Sequence, residues 1–478
     1  MTRETRHGDT AGVTPSASGA TAALARFVTQ RRGSLPSDVL TTVKLHILDT
    51  LGCQVAFARL PWSRAAWRYA AEARTPGPAT ISYYGAPASV EMAAFVNASF
   101  THGFEMDDTE MRSASHPGAV VVPAALAAAQ RHGSSGAELV AAVAVGYEVM
   151  VRVALSAVGM MRRGFHTTAV AGPFGAAAAA AALWSLDDVR TAHALGIAAS
   201  HASGITEHSV SGGSVKRVHA GIAARSGIES VRLARAGVTA PEGALDGRRG
   251  LLRAVADDPG MPPSGLGEHF ELLTTGLKPY CCCAAQHTVI DAVAQLQNEH
   301  PRLTPAAVRR VRVLQNDREA DAVGLIVEPA DVTSAQFSAA FGIALRLVRN
   351  ANGFDDYMNA RLDDEELLAV ARRVTYERAP AASPLPGDGP CRVSIELEDG
   401  SVLGTEVLGA RGTSASPMSE SDVIAKFRSL ADEPLGEERA GRVVEIVMNL
   451  ERLPDSNRLV RHLVARSEDA ASSPDIAV

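Results

Sequence analysis

Histidine, lysine and carboxylate side chains gather in four short stretches of this sequence, and each mixture is of a kind that moves protons or grips anions. Of the 14 histidines, eight fall between positions 102 and 219. In THGFEMDDTEMRSASHPGAVVVPAALAAA, Glu105, Asp107 and Asp108 stand close to His102 and His116, ahead of a helix opened by proline. A carboxylate beside an imidazole can orient a general base, and the same two types also ligate divalent metals. His102 and Glu105 stand three apart, but no HxxxH pair accompanies them, so acid–base chemistry is expected and no metal. A solvated acidic turn is the plainer alternative for Asp107 or Asp108 taken singly.

The second stretch, RRGFHTTAVAGPFGAAAAAAALW, sets His166 and two threonines before an apolar helix. Free N–H groups and a partial positive charge at a helix N-terminus suit a substrate carboxylate, beside which His166 could exchange a proton. A capping or packing histidine is the competing reading. In the third, GGSVKRVHAGIAARSG, Lys216 and His219 are three apart on one helical face, just after the flexible pair Gly212-Gly213. The fourth, GLKPYCCCAAQHTVIDAVAQL, holds Lys278, three adjacent cysteines and His287. Adjacent cysteines cannot wrap a tetrahedral ion as spaced pairs do, so they read as small buried apolar residues. A substrate with two or three negative charges needs fixed cations, and Lys216, Arg217 and Lys278 are the candidates. There is no dinucleotide fingerprint after a strand, no phosphate loop and no GxSxG elbow, so no cofactor is expected.

The elements that must position these groups are mostly helices. Apolar residues make up 46% of the 478 positions and aromatic ones only 5%, and alanine-rich runs favour close helix packing. Helical periodicity runs from about 21 to 270, with Ser37 and Asp38 as candidate caps. The segment GAELVAAVAVGYEVMVRVALSAV reads as a buried helix in which Glu148 and Arg152 form a structural i,i+4 pair. It is interrupted by those charges, so no membrane span is expected. After 300, VRRVRVLQ and CRVSIELEDGSVLGTEVL alternate as strands, the second with a hairpin turn at Asp399-Gly400 and helical stretches over 334–349 and 364–373 between them. From Ser419 to about Arg466 the chain is helical again.

The fold class expected is mainly α, a large all-helical domain with a smaller α+β lid domain. The boundaries expected are a disordered tail over 1–20, the helical domain over 21–270 with 408–470, and the lid over 271–407, with 379–390 as the clearest flexible loop. Lys plus Arg number 46 against 53 Asp plus Glu, and the net charge of −7 has no long run of either sign, so nucleic acid is not an expected partner. Five cysteines, three of them adjacent, make a poor disulfide framework, and the first twenty residues carry no apolar core of a secretory signal, so a cytoplasmic protein is expected.

The segments ILDTLGCQVAF, FVNASFTHGFEMDDT, HPGAVVVPAALA, GYEVMVRV, GFHTTAVAGPFGAAAAAA, KRVHAGIAARSG and LKPYCCCAAQHTVIDA, in that order, resemble the MmgE/PrpD family, which includes 2-methylcitrate dehydratase and cis-aconitate decarboxylase. The resemblance implies a homodimer with its site in a cleft between domains, no cofactor, and a small polycarboxylate substrate. By motif it carries the family's site onto Glu105, Asp108, Thr109, His116, His166, Lys216, His219 and Lys278. Arg217, His102, Cys283 and His287 join these as candidate substrate contacts. Two departures stand out: Glu105 replaces the aspartate that commonly opens the acidic string, and Cys281-Cys282-Cys283-Ala284 replaces a Pro-Cys-Cys-Arg run. The function expected is a lyase, foremost a dehydratase of a citrate-like acid, with decarboxylation of a cis-aconitate-like acid, epimerisation of a dicarboxylate or non-catalytic binding as alternatives.

Overall fold

The computed structural model describes residues 19–31, 33, 35–257, 265–379 and 390–465. Nearly all of the tail expected over 1–20 and most of the expected 379–390 loop lie outside these residues. Ala20 already opens the first helix, Ala20–Gln30.

Helices dominate up to residue 255, and the core they share is built from small side chains. The 21-residue helix Gly136–Ser156 begins at a capping box in which Ser135 and Glu138 satisfy each other's backbone N–H. It packs against Thr167–Leu183, all of whose residues are buried. The two backbones approach so closely that a Cβ on Gly146 would sit 2.9 Å from the Gly175 carbonyl. Alanine and glycine thus permit a helix separation that larger residues would forbid. Among the described residues, Gly136–Ser156 is the one helix long and apolar enough to cross a membrane, and it is 94% buried inside the protein. Glu148 and Arg152 pair within it at 2.5 Å.

Ser37 and Asp38 open a helix, Ser37–Ala56, but as its first residues, with Pro36 at the cap position. A two-stranded ribbon, Ala79–Ile81 with Ala86–Ala88, is an element the helical reading of this region missed. Its strands of three residues are too short to show alternation.

The second core, around Phe341, Tyr357 and Val393, belongs to a four-stranded sheet and its helices. In the sheet, Val308–Asn316 lies between Val374–Ala379, parallel to it, and Cys391–Leu397, antiparallel, which turns through Gly400 into Val402–Val407. The strand Val374–Ala379 was hidden in sequence beside a helix, Glu365–Ala371, capped by Asp364. The stretch expected as one helix over 334–349 is two, Val332–Gln336 and Ala339–Arg349, because Ser338 caps the second by accepting from the Phe341 N–H.

Phe57 and Phe104 of the helical region belong to this second core and pack on Phe354 with ring centroids 5.2 and 5.3 Å away. The C-terminal helices Glu420–Leu435 and Glu437–Met448 bury Phe427 and Val443 in the first, alanine-rich core. They break at Gly436, whose φ of +83° a side chain would resist.

Candidate active site

The four stretches singled out by their chemistry converge on one cavity of about 960 Å³, into which Glu105, Thr109, His116, His166, Lys216 and Lys278 open. Backbone geometry puts them there. His116 is the N-cap of Pro117–His132, His166 the N-cap of Thr167–Leu183, and Lys216 the first residue of Lys216–Arg235. Three helix N-termini therefore deliver an imidazole, an imidazole and an ammonium. Lys278 comes from the segment that Gly276 anchors by exchanging backbone hydrogen bonds with Thr109, each 2.8 Å.

The cationic side of the site is built around one carboxylate. Glu105 accepts from Lys216, from Arg217 at 2.9 Å and from Lys278 at 3.4 Å. Burial would raise the Glu105 carboxyl, but Lys216, Lys278 and Arg217 outweigh it and hold it well below the usual range. Burial pulls the Lys216 ammonium down against the attraction of Glu105, and Arg217 and Lys278 add repulsion. Lys278 is also buried, yet Glu105 and Asp107 raise it above the ordinary lysine value. Arg217 stacks over Trp62 at 5.3 Å, which fixes its plane. One negative charge thus meets three positive ones, and the surplus faces the cavity.

The other side is imidazole. His116 Nδ1 lies 2.7 Å from the Asp108 carbonyl, which can only accept, so Nδ1 carries the proton and Nε2 keeps a lone pair. Thr109 Oγ1 is 3.2 Å from the same Nδ1. Burial lowers His116 to about 4 despite Asp107. His166 is held well below the ordinary value by burial, then by His102 and Lys216, and its Nδ1 faces His219 Nδ1 at 3.0 Å. These imidazoles are neutral at pH 7 and available as bases.

The acidic string is not a solvated turn: Glu105, Asp107 and Asp108 are 3%, 2% and 1% exposed. Asp107 is the acid that orients imidazoles, with Oδ2 at 2.7 Å from His102 Nδ1 and 3.5 Å from His116 Nδ1. His102, Asp107 and His116 offer donor types that a divalent ion takes, all within 4.8 Å; of these, Asp107 Oδ2 and His102 Nδ1 are joined as an acid–imidazole hydrogen bond, and His116 Nδ1 is turned to the Asp108 carbonyl. Asp108 turns away from the cavity. Its carboxylate accepts from Gly118 N at 2.9 Å and Tyr147 Oη at 2.7 Å and lies 3.0 Å from His46 Nδ1. A Cβ on Gly118 would come within 2.6 Å of that Tyr147 oxygen, so the glycine lets the network close.

Of the remaining candidates, Arg217 and Cys283 line the cavity, while His102 and His219 lie behind it. His287 donates from Nε2 to the Cys282 carbonyl at 3.3 Å and lines a smaller recess beside Lys278. The cysteines are free, and burial raises the Cys281, Cys282 and Cys283 thiols above the ordinary value, away from the reactive thiolate. Sequence reasoning left His46, Tyr147 and His208 without a role. His208 sat inside the dense histidine stretch, whereas His46 and Tyr147 look like ordinary interior positions of helices, and only the fold brings them to Asp108.

Comparison with known proteins covers nearly the whole chain. The MmgE/PrpD N-terminal domain model matches residues 22–264, and the MmgE/PrpD C-terminal domain model matches 280–452. A cis-aconitate decarboxylase of Aspergillus terreus is 31% identical over 461 residues, covering 90% of this chain and 92% of the relative. The cis-aconitate decarboxylase of Homo sapiens is 28% identical over 464 residues, covering 92% and 94%. Two family models in tandem, on a helical body with a smaller mixed-sheet unit, place this protein: it belongs to the MmgE/PrpD family, a family of lyases.

Proposed function

We propose that this lyase decarboxylates cis-aconitate or a closely similar unsaturated tricarboxylate without a cofactor. The observation that carries the reading is the surplus of buried positive charge, Lys216, Arg217 and Lys278 around the single Glu105, facing neutral imidazoles across one cavity. Decarboxylation is set ahead of the dehydration expected from sequence because relatives matched over 90% of the chain and more bear the decarboxylase name.

In this reading Lys278 and Lys216 hold the substrate carboxylates that stay, replacing their hydration with fixed charge. The bond from carbon to the departing carboxylate breaks, and its electron pair spreads through the double bond onto a retained carboxylate. The lysines stabilise that charge as it develops, which lowers the barrier more than it tightens ground-state binding. A proton from the imidazole side, His166 or His116, then goes to carbon, giving carbon dioxide and an unsaturated dicarboxylate. Asp107 keeps His102 and His116 in register, and Asp108 anchors the loop from behind.

Dehydration remains the second reading, since neutral His116 with a free Nε2 lone pair is equally suited to remove a proton α to a carboxylate. Incubation with cis-aconitate, citrate and 2-methylcitrate, following carbon dioxide release and enoate absorbance, separates the two. Carbon dioxide from cis-aconitate is the expected result. Enoate formation from a citrate without carbon dioxide would favour dehydration, and no change in any of the three acids would overturn both.

A further inference from the structure

The three cations that meet Glu105 differ in what else holds them. Lys216 and Arg217 are also met from the smaller unit, and by uncharged partners. Arg217 Nη2 lies 3.5 Å from the side-chain oxygen of Gln336, the last residue of the helix Val332–Gln336. The ring of Phe337, which lines the cavity, has its centroid 5.6 Å from Lys216 Nζ. Two adjacent residues of one unit therefore face two adjacent cations of the other.

Gln336 is held in place from several sides. It is fully buried, and its Nε2 donates to the Cys281 carbonyl at 3.0 Å, which turns its oxygen, the acceptor, toward Arg217. Its backbone carbonyl accepts from Gln286 Nε2 at 2.7 Å and from the Cys283 N–H at 2.9 Å. The residue thus ties the cysteine run that follows Lys278 to the start of Lys216–Arg235. Arg217 is itself 4% exposed, and a carboxylate is the ordinary partner of so buried a guanidinium. A neutral amide accepts from Arg217 and leaves its charge to act on a ligand in the cavity.

We propose that Gln336 is a specificity-determining residue: it holds Arg217 toward the cavity without cancelling its charge, so that the site favours ligands with three carboxylates over ligands with two. This rests on the tricarboxylate ligand proposed above. Three cations against the carboxylate they share leave an excess of positive charge, and each further carboxylate on a ligand gains from it. A carboxylate at position 336 would consume part of that excess. Gln336 does not line the cavity, so it acts through Arg217 as a positioning residue. Phe337 plays the same part for Lys216, since a ring face attracts an ammonium without neutralising it.

The test measures dissociation constants of tricarballylate and glutarate on the full chain by titration calorimetry at mildly alkaline pH. These acids differ by one carboxylate and lack both the hydroxyl and the double bond on which the two lyase reactions depend, so binding is read apart from turnover. Gln336→Glu is expected to weaken tricarballylate about tenfold and glutarate about threefold, because the added charge acts on every ligand carboxylate. Gln336→Met, which adds no charge, should weaken tricarballylate only about twofold and leave the ratio of the two constants unchanged. Combining Q336E with Glu105→Gln moves the carboxylate from one side of Arg217 to the other, and should bring tricarballylate back to within about threefold of wild type. A purely structural residue would lower the thermal midpoint in every variant without changing that ratio. An unchanged ratio in Q336E, an equal loss in Q336M, or no recovery in the double variant overturns the role of Gln336 alone. Wild type that binds no tricarballylate overturns it together with the tricarboxylate reading. The expected binding pattern without carbon dioxide from cis-aconitate supports Gln336 and overturns the decarboxylase reading alone.

Discussion

The acid–base clusters around Glu148 and Glu105 are built for opposite ends. Around Glu148, three carboxylates meet two guanidiniums: Arg152 bonds Glu148 and lies 3.7 Å from Glu271, while Arg112 bonds Glu110 and Glu271. Spare acceptors there find donors, as where the Glu271 N–H bonds Glu148 at 2.6 Å and Ser113 bonds Glu110. Around Glu105 one carboxylate meets three cations, and the excess charge opens on a cavity. Burying charge costs several kcal/mol per ion unless it is paired. A cluster left with unpaired charge toward a cavity is incomplete until an anion arrives, and a closed one is part of the scaffold. The contrast separates site from structure where residue types alone do not, since both clusters use Glu, Arg and neighbouring helices.

Substitution in each cluster should break different properties. Lys278→Ala is expected to lower kcat/KM by about a thousandfold, on the scale of losing one fixed donor to developing charge. Its thermal midpoint should stay close to wild type, as Glu105 keeps Lys216 and Arg217. Arg152→Ala should do the reverse, costing about 3–5 kcal/mol in urea unfolding because Glu148 loses its buried partner, while activity per folded molecule holds. Exchange of these outcomes between the two variants would erase the distinction.

Glu105→Gln sharpens the comparison further. Removing the anion that all three cations contact leaves them to the ligand, so KM and the inhibition constant for citrate should fall a few-fold, on the scale of a partly solvated charge. The rate should fall about tenfold as the lysines lose their fixed position. A rise in KM would mean that Glu105 contacts the substrate favourably.

A smaller effect belongs to the imidazoles. His116 and His219 titrate at about 4 in the fold against an ordinary 6.5, chiefly through burial. Between those values the unfolded chain binds more protons, so their contribution to stability is whole above about pH 6.5 and is lost as pH falls through about 4. Thermal midpoints should decline over that window, and less steeply in His116→Gln. An unchanged slope would contradict the assignment.

Much of this contrast was legible in the sequence, but unevenly. The i,i+4 spacing was enough to read Glu148–Arg152 as structural, because both partners lie on one helix. Motif and resemblance together named Lys216, Lys278, His116 and His166, and the positions of Lys216, His116 and His166 at helix starts follow from the proline and glycine patterns around them. Which acid served which base was not legible. Asp107, for which a solvated turn is the plainer alternative in sequence, orients two imidazoles, and Asp108, expected at the reacting centre, holds the loop through His46 and Tyr147. Adjacent residues in a compact loop point in different directions, and only the tertiary packing decides which one meets the cavity. The sheet divides in the same way: the Asp399-Gly400 hairpin is a local signal, whereas Val374–Ala379 pairs with a strand some sixty positions away and shows little in its own residues.

The most direct measurement is proton NMR of cis-aconitate incubated with the wild-type protein in heavy water. The proposed function predicts loss of carbon dioxide and an unsaturated dicarboxylate carrying one deuteron on carbon, delivered from the imidazole side, with Lys278→Ala leaving the acid intact over the same period. Unchanged cis-aconitate, or conversion to a hydroxy acid with all three carboxylates retained, would contradict it.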